Sequence, residues 1–286
     1  MKTAKKSPMD EYLKKHPFLA ETANLQLAME KILTGAVSPV SFPVKDDIAE
    51  LVKDGMPLLQ QPQLQRTMVK VAAVSLGDCL EALKEIEAPD MMKAALKAWQ
   101  SWTAEAELTE IQQFFDYLLR QEDAEIQQFA ADNKLNEVLV RTLGWQLVEV
   151  LVPAELKDPV FWQGIGWKRN YCPVCGRQPV LAQLRKEQEG RARVLVCDGC
   201  HTVWPYARIG CVYCGNEDLK EMHILEPEGE EAMRLDVCDK CHAYLKTYNE
   251  EGEEEVYLRD WATIHLDFLG EEKSLQKKGS VMLANA

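Results

Sequence analysis

Eight of the nine cysteines in this chain fall between residues 172 and 241 as four Cys-x-x-Cys pairs: Cys172-Pro-Val-Cys175, Cys197-Asp-Gly-Cys200, Cys211-Val-Tyr-Cys214 and Cys238-Asp-Lys-Cys241. Two residues between cysteines let a tight turn aim both sulfurs at one ion, and two such turns complete a tetrahedral thiolate site. Eight cysteines therefore predict two sites.

The order of the pairs shows which belong together. Cys172 and Cys175 recur 39 residues later as Cys211 and Cys214, each pair followed by Gly, and Cys197 and Cys200 recur 41 residues later as Cys238 and Cys241. Val-Cys-Asp-Gly-Cys-His at 196–201 matches Val-Cys-Asp-Lys-Cys-His at 237–242. Between the pairs of each unit lies a hairpin pattern: Val180 to Leu184 and Ala192 to Val196 flank Gln188-Glu189-Gly190, and Met222 to Leu225 and Met233 to Val237 flank Pro227-Glu228-Gly229. Each unit reads as knuckle, hairpin, knuckle, the plan of a zinc ribbon or rubredoxin-type site. We assign Cys172, Cys175, Cys197 and Cys200 to one metal and Cys211, Cys214, Cys238 and Cys241 to the other; a crossed pairing of first knuckle with third stays open. A structural site of this kind supplies on the order of 10 kcal/mol or more of folding energy in peptides.

With 286 residues, 47% of them hydrophobic, the chain can bury a proper core and reads as two domains. Its start, Met1-Lys-Thr-Ala-Lys-Lys-Ser, leads into Asp10-Glu-Tyr-Leu-Lys-Lys rather than an apolar core, so no secretory signal is expected. No apolar run approaches the roughly 18 residues that cross a bilayer. The expectation is a soluble, cytoplasmic protein, where paired cysteines serve as metal ligands rather than disulfides. A net charge of −13 argues against a general nucleic-acid binder. The charge is uneven: residues 168–214 carry eight Lys or Arg against three acids, and residues 215–256 carry four against fourteen. Solvated faces of differing sign explain this, with a bipolar docking surface as the alternative.

Residues 1 to about 160 read as helices with short breaks. Leu25, Ala28, Ile32 and Leu33 mark one stripe, and Ile48, Leu51 and Val52 another that stops before Gly55-Met56-Pro57. Met68, Val71, Ala72, Ser75, Cys79, Leu83 and Ile86 give a long helix from Leu64, with Cys79 a buried core thiol. Past Pro89 come a helix with Trp99 and Trp102, a stripe of Leu108, Ile111, Phe115, Leu118 and Leu119, and one from Leu135 through Leu151 that ends at Pro153. The acids between Glu105 and Asp123 read as solvated faces. Phe161, Trp162 and Trp167 anchor a bridge over 154–171, Glu250 to Glu255 reads as an acidic loop, and Leu258 to Leu269 as a last helix before a mobile tail. Nothing in the helical half matches a phosphate-binding Gly loop, Gly-x-Ser-x-Gly or His-Glu-x-x-His, so no catalytic residue is expected. The fold class is α+β: an all-α bundle over 1–165, ribbon units over 166–209 and 210–250, and a helix with its tail over 251–286.

Other chemistries fit the cysteines less well. Cys197-Asp-Gly-Cys200-His201 and Cys238-Asp-Lys-Cys241-His242 match the c-type haem attachment pattern, but that leaves four cysteines unexplained and needs export. His201 and His242 are accordingly expected beside the sites or at the surface, not as ligands. A dithiol oxidoreductase needs one reactive pair opening a helix, not four in a tandem repeat. A nucleic-acid-binding ribbon is favoured by the basic first unit with Tyr171, Trp204, Tyr206 and Tyr213, and disfavoured by the acidic chain.

The order Cys172-Pro-Val-Cys175-Gly, then Cys197-x-x-Cys200-x-x-x-Trp204-x-x-x-Arg208-x-x-Cys211-x-x-Cys214, then Cys238-x-x-Cys241-His-Ala-Tyr-Leu-Lys246 resembles the formate dehydrogenase accessory protein family, the FdhE type. Gly55-Met-Pro57-Leu58 is similar to a Gly-x-Pro-Leu element of that family's helical domain, and Asp260-Trp-Ala262-Thr263 through Leu266-Asp267 to its final helix; Trp261 departs from the small aliphatic residue usual there. The resemblance implies a non-enzymatic maturation factor for the catalytic subunit of a molybdenum- or tungsten-dependent formate dehydrogenase. It implies two metal ions, iron or zinc, each on four of the eight cysteines, and is compatible with a homodimer.

Overall fold

Proline and apolar spacing lay out the first half of the chain. The computed structural model describes residues 8–187, 190–249 and 254–283. The helices are α1 (Pro8–Lys15), α2 (Ala20–Ala36), α3 (Lys45–Val52), α4 (Pro62–Ala82), α5 (Asp90–Glu105), α6 (Leu108–Arg120), α7 (Asp123–Asp132), α8 (Glu137–Leu151) and α9 (Pro159–Ile165). α4 opens on Pro62, whose fixed φ suits a first helical turn, and buries Met68, Val69, Ala72, Ala73, Leu76, Cys79 and Leu80 against α2, α5, α6 and α8. Burial lifts the Cys79 thiol to about 11, so it stays protonated and packs as a small apolar group. α6 is started by a capping box between Glu107 and Glu110, and α8 by the Asn136 side chain, which accepts from the Leu139 amide at 2.9 Å. A side chain at Gly144 would meet Leu118 at 2.9 Å, so that glycine lets α8 approach α6 closely.

Three elements go beyond the sequence reading. A helix that the sequence reading did not place, α7, lies between the Leu108–Leu119 and Leu135–Leu151 stripes and buries Ile126 and Ala130; Asp123, read only as a solvated acid, is its first residue. Arg141, 2% exposed, ties α8 to the start of α7 through Asp123 and bonds Glu137 at 2.9 Å. The long helix ends at Ala82, and Leu83 and Ile86 stay buried in the turn that follows.

The second half is a sheet of β1 (Leu181–Glu187), β2 (Gly190–Val196), β3 (Val203–Tyr206), β4 (Met222–Leu225), β5 (Met233–Cys238), β6 (Ala243–Tyr248) and β7 (Gln276–Lys277). Each repeat contributes its expected hairpin plus a third strand, β3 or β6, after its last knuckle. The strand order is β3-β2-β1-β6-β5-β4, antiparallel within each unit and parallel where β1 meets β6, with Leu181 opposite Lys246. That is the order a translated copy of one three-stranded unit produces: its first and third strands run the same way, so the copies join in parallel. The tip of the first hairpin, residues 188–189, lies outside the described residues, as do residues 250–253 of the acidic run, after which α10 (Glu254–Tyr257) begins.

β6 is the sheet's middle strand and is buried along its whole length, including Lys246 and Thr247. Lys246 Nζ reaches Asp260 Oδ1 at 2.5 Å and Asp267 at 3.2 Å, and Lys277 pairs with the same two acids at 2.8 and 2.5 Å. Asp260 sits in a 3₁₀ turn (Asp260–Thr263) and Asp267 on α11 (Ile264–Glu272), so the terminal helix docks on the sheet through paired charges. Arg259 turns the other way and bonds Glu149 of α8 at 2.8 Å and Glu30 of α2 at 2.7 Å. The expectation of a mobile tail after Gly270 is corrected: β7 pairs with β6, Ser280 is 1% exposed, and the Val281 amide donates to Asp198 at 2.8 Å. The tail packs because it satisfies buried groups of the sheet and of a cysteine knuckle.

Burial alone would raise the Asp260 carboxyl, but Lys246 and Lys277 overturn that and hold it below the ordinary carboxylate range. A depressed folded-state value contributes stability that is full above the unfolded value of about 3.9 and is lost as pH falls below it. Lys246→Met leaves two acids to share Lys277. It is expected to cost ~3–5 kcal/mol at pH 7, read by urea denaturation, with less of that penalty remaining below about pH 4.

Candidate metal centres

The eight cysteines come together as two groups, Cys172 with Cys175, Cys197 and Cys200, and Cys211 with Cys214, Cys238 and Cys241. Cys172 faces Cys200 at 3.4 Å and Cys175 faces Cys197 at 3.4 Å; Cys211 faces Cys241 at 3.7 Å and Cys214 faces Cys238 at 3.8 Å. The neighbours are therefore consecutive knuckles, not crossed ones. None of the eight is in a disulfide.

One local backbone design recurs in every knuckle. The residue after the second cysteine is left-handed each time: Gly176 at φ 82°, His201 at 55°, Gly215 at 70° and His242 at 54°. That bend folds the chain back under the sulfurs. The Gly176 amide donates to Cys172 O at 2.9 Å and the Gly215 amide to Cys211 O at 3.1 Å. The Gly199 amide donates to Cys197 Sγ at 3.3 Å and the Tyr213 amide to Cys211 Sγ at 3.4 Å, contacts that stabilise a thiolate. His201 and His242 thus make the turns that the sequence had placed beside the sites, at a conformation glycine adopts more cheaply.

Both groups fit a tetrahedral thiophilic ion. Metal–sulfur bonds of about 2.3 Å place sulfurs about 3.8 Å apart at the corners of a tetrahedron. The second group lies at that spacing and the first slightly inside it. Burial pushes the Cys172 and Cys175 thiols well above their ordinary range and lifts Cys211 up to about 12. Thiols so desolvated and so close ionise together only with a cation among them. Four cysteines in each group could hold a metal ion; the donor set accepts iron or zinc.

The two groups differ in their surroundings. All four cysteines of the first are 0% exposed and belong to the same buried cluster as Trp99, Trp145 and Trp162 of the helical half. Its first knuckle is clasped by the Gly-Met-Pro-Leu segment: Leu58 N donates to Pro173 O at 2.9 Å, Leu59 N to Val174 O at 2.8 Å, and Tyr171 Oη to Gly55 O at 2.8 Å. Gln121 Nε2 adds a bond to Cys175 O at 3.2 Å. On the other knuckle, a side chain at Gly199 would meet Arg177 at 2.7 Å and Trp145 at 2.9 Å, and the Arg177 guanidinium lies 5.1 Å from the Trp145 ring centre. In the second group Cys214 is exposed and Cys241 half-buried. Cys211 and Cys238 wall an open groove that also takes in Arg208 and Arg234 and the exposed side chains Ile209, Leu219 and Ile224. The clasp and the groove residues escaped the sequence reading, although Gly55-Met-Pro-Leu58 stood out in it.

A helical domain fused to a duplicated four-cysteine ribbon defines a class of two-site thiolate proteins. Residues 171–208 match the family described as FdhE, central domain, and residues 209–283 that described as FdhE, C-terminal domain. Among named proteins, the FdhE homolog of Aquifex aeolicus is 31% identical over 123 residues, covering 42% of this chain and 44% of that protein. The FdhE protein of Salmonella paratyphi A is 29% identical over 139 residues, 48% of this chain and 43% of that one. The chain thus covers under half the length of these relatives. The crystal structure of the FdhE protein from Pseudomonas aeruginosa superposes with a TM-score of 0.62 over 97% of this chain and 90% of that one at 22% identity, which carries the fold across both halves. Residues 171–283 thus match the central and C-terminal domains of the FdhE family, and the chain as a whole has the fold of an FdhE protein.

Proposed function

We propose that the chain is a cytoplasmic accessory protein for the maturation of formate dehydrogenase. It holds the catalytic subunit of a molybdenum- or tungsten-dependent enzyme on its ribbon platform and catalyses no reaction of its own. The match of residues 171–283 to FdhE domains and to FdhE relatives supports the enzyme system. The observation that carries the binding mode is the contrast between the cysteine groups: the first is sunk in the core, and the second stands at the surface beside a groove with exposed Ile209, Leu219 and Ile224. An apolar patch rimmed by charge is how a protein-binding surface presents itself. The eight cysteines hold two ions, iron or zinc, with the knuckle amides steadying the sulfurs. An iron there can change oxidation state with little ligand movement, whereas zinc keeps one.

The exposure of Cys214 and Cys241 also favours a second reading, an electron-transfer module of rubredoxin type. Affinity capture from cells expressing formate dehydrogenase tests the first reading. The wild-type chain is expected to retain the catalytic subunit, and Ile224→Asp and Cys214→Ser to lose at least tenfold of it while their far-ultraviolet circular dichroism stays unchanged. Capture that ignores both substitutions would move the interface elsewhere. Reversible bleaching of visible thiolate-to-iron absorption without capture would favour the second reading.

A further inference from the structure

Away from both cysteine groups, three ligating side chains from distant parts of the chain meet in a half-closed pocket. His16 follows α1, Glu230 lies in the turn between β4 and β5, and His265 is on α11. His16 Nε2 lies 2.8 Å from Glu230 Oε1 and His265 Nε2 lies 3.4 Å from the same oxygen. The imidazoles stack with centroids 4.8 Å apart and planes 21° from parallel, and Tyr12 and Phe18 pack around them. All three side chains are largely buried, at 9%, 12% and 16% exposure for His16, Glu230 and His265.

The polar groups of this cluster do not balance among themselves. His16 is placed to donate to the carboxylate, but His265 faces the same oxygen out of line, and both of its ring nitrogens are buried without a hydrogen-bond partner. A buried imidazole left without a hydrogen-bond partner is unfavourable, because it has given up water for nothing. Charging both rings to satisfy them would stack two cations face to face. A divalent ion resolves the mismatch in one step, since it takes a lone pair from each neutral ring and neutralises the carboxylate.

We propose that His16, Glu230 and His265 form a third, mononuclear site for a divalent ion of the zinc class, which staples α1, the second ribbon unit and the terminal helix together. Two imidazoles and a carboxylate are a donor set that zinc uses, with a fourth position left for water. Nitrogen and oxygen donors about 2.0–2.1 Å from an ion sit about 3.4 Å apart in a tetrahedron. The His265–Glu230 separation of 3.4 Å matches that value, the His16–Glu230 separation of 2.8 Å lies inside it, and all three donor atoms lie within 4.8 Å of one another. The ion would hold the acidic second unit against the helical half at a point remote from the cysteines, so its ligands leave the thiolate sites untouched.

The test is metal stoichiometry on the tag-free full-length chain, reduced, reconstituted with zinc and desalted. Wild type is expected to bind one equivalent more than His16→Gln/His265→Gln. Cobalt substitution should give the same thiolate charge-transfer absorption in both, which separates loss of this site from damage to the cysteine groups. Glu230→Gln, a change in a turn that keeps the side chain's shape, is expected to lose the same equivalent and to abolish the rise in melting temperature that added zinc produces in wild type. Equal zinc content in wild type and both variants would overturn the proposal, and would assign any extra ion to an adventitious place such as the exposed His223 and Asp239 pair.

Discussion

Cys172→Ser or Cys197→Ser is expected to unfold the whole chain, helical half included, whereas Cys214→Ser leaves the helices intact. The first cysteine group sits inside the cluster that also contains Trp145, Trp162 and Leu151, and its first knuckle receives backbone hydrogen bonds from Leu58 and Leu59. With the proposed ion in the first group, worth on the order of 10 kcal/mol, losing one ligand would release it and leave three buried thiols with nothing to ionise against. A protein of this kind is stable by only ~5–15 kcal/mol in total, so the loss matches the whole margin. Far-ultraviolet circular dichroism at 25 °C reads the outcome: helical signal lost for the first pair of variants, kept for Cys214→Ser. A Cys172→Ser protein with wild-type helicity and melting temperature would mean that the first group is a passenger in a core that stands without it.

That difference between the groups was partly legible in the residues. The repeat puts Gly199 where the second unit has Lys240, and Thr202 where it has Ala243. Gly199 is needed because Trp145 and Arg177 press on it, and Thr202 Oγ1 lies 3.1 Å from Cys200 Sγ, while Lys240 points to solvent. A small residue inside one copy and a charged one inside the other is what burial of only one copy writes into a duplicated segment. The four hairpin strands and most helices could be read from local periodicity and turn residues, whereas β3, β6 and β7 were not. The parallel join of β1 to β6 could not, because a pairing between residues 181 and 246 leaves no local trace. The docked tail was hidden for a related reason: Ser280 and Val281 are held by Asp198 and Asp260, whose charges and amides have no signature in a polar stretch. Asp260 and Lys246 were visible as parts of a family resemblance, but only their contact explains why they belong together.

The same asymmetry predicts that metal leaves and thiols react in two well-separated steps. Cys214 is exposed and Cys241 half-exposed, flanked by exposed Lys240 and His242, so a chelator or a maleimide reaches the second group in the native state. The first group has no surface at all, and reagents reach it only through an opening that breaks the clasp at Leu58 and Leu59 and parts the sheet from α8. Opening of that extent approaches global unfolding, and even ~5 kcal/mol slows access by about a thousandfold or more. Release of thiolate-bound metal to a colorimetric chelator, followed in the His16→Gln/His265→Gln protein so that only the cysteine groups are loaded, should therefore be biphasic, one equivalent fast and one rate-limited by unfolding, with mass spectrometry finding the first labels on Cys214 and Cys241. Denaturant should accelerate only the slow phase. If both equivalents left at one rate, the first group would have to open without unfolding, and burial among the tryptophans would not be what secures it.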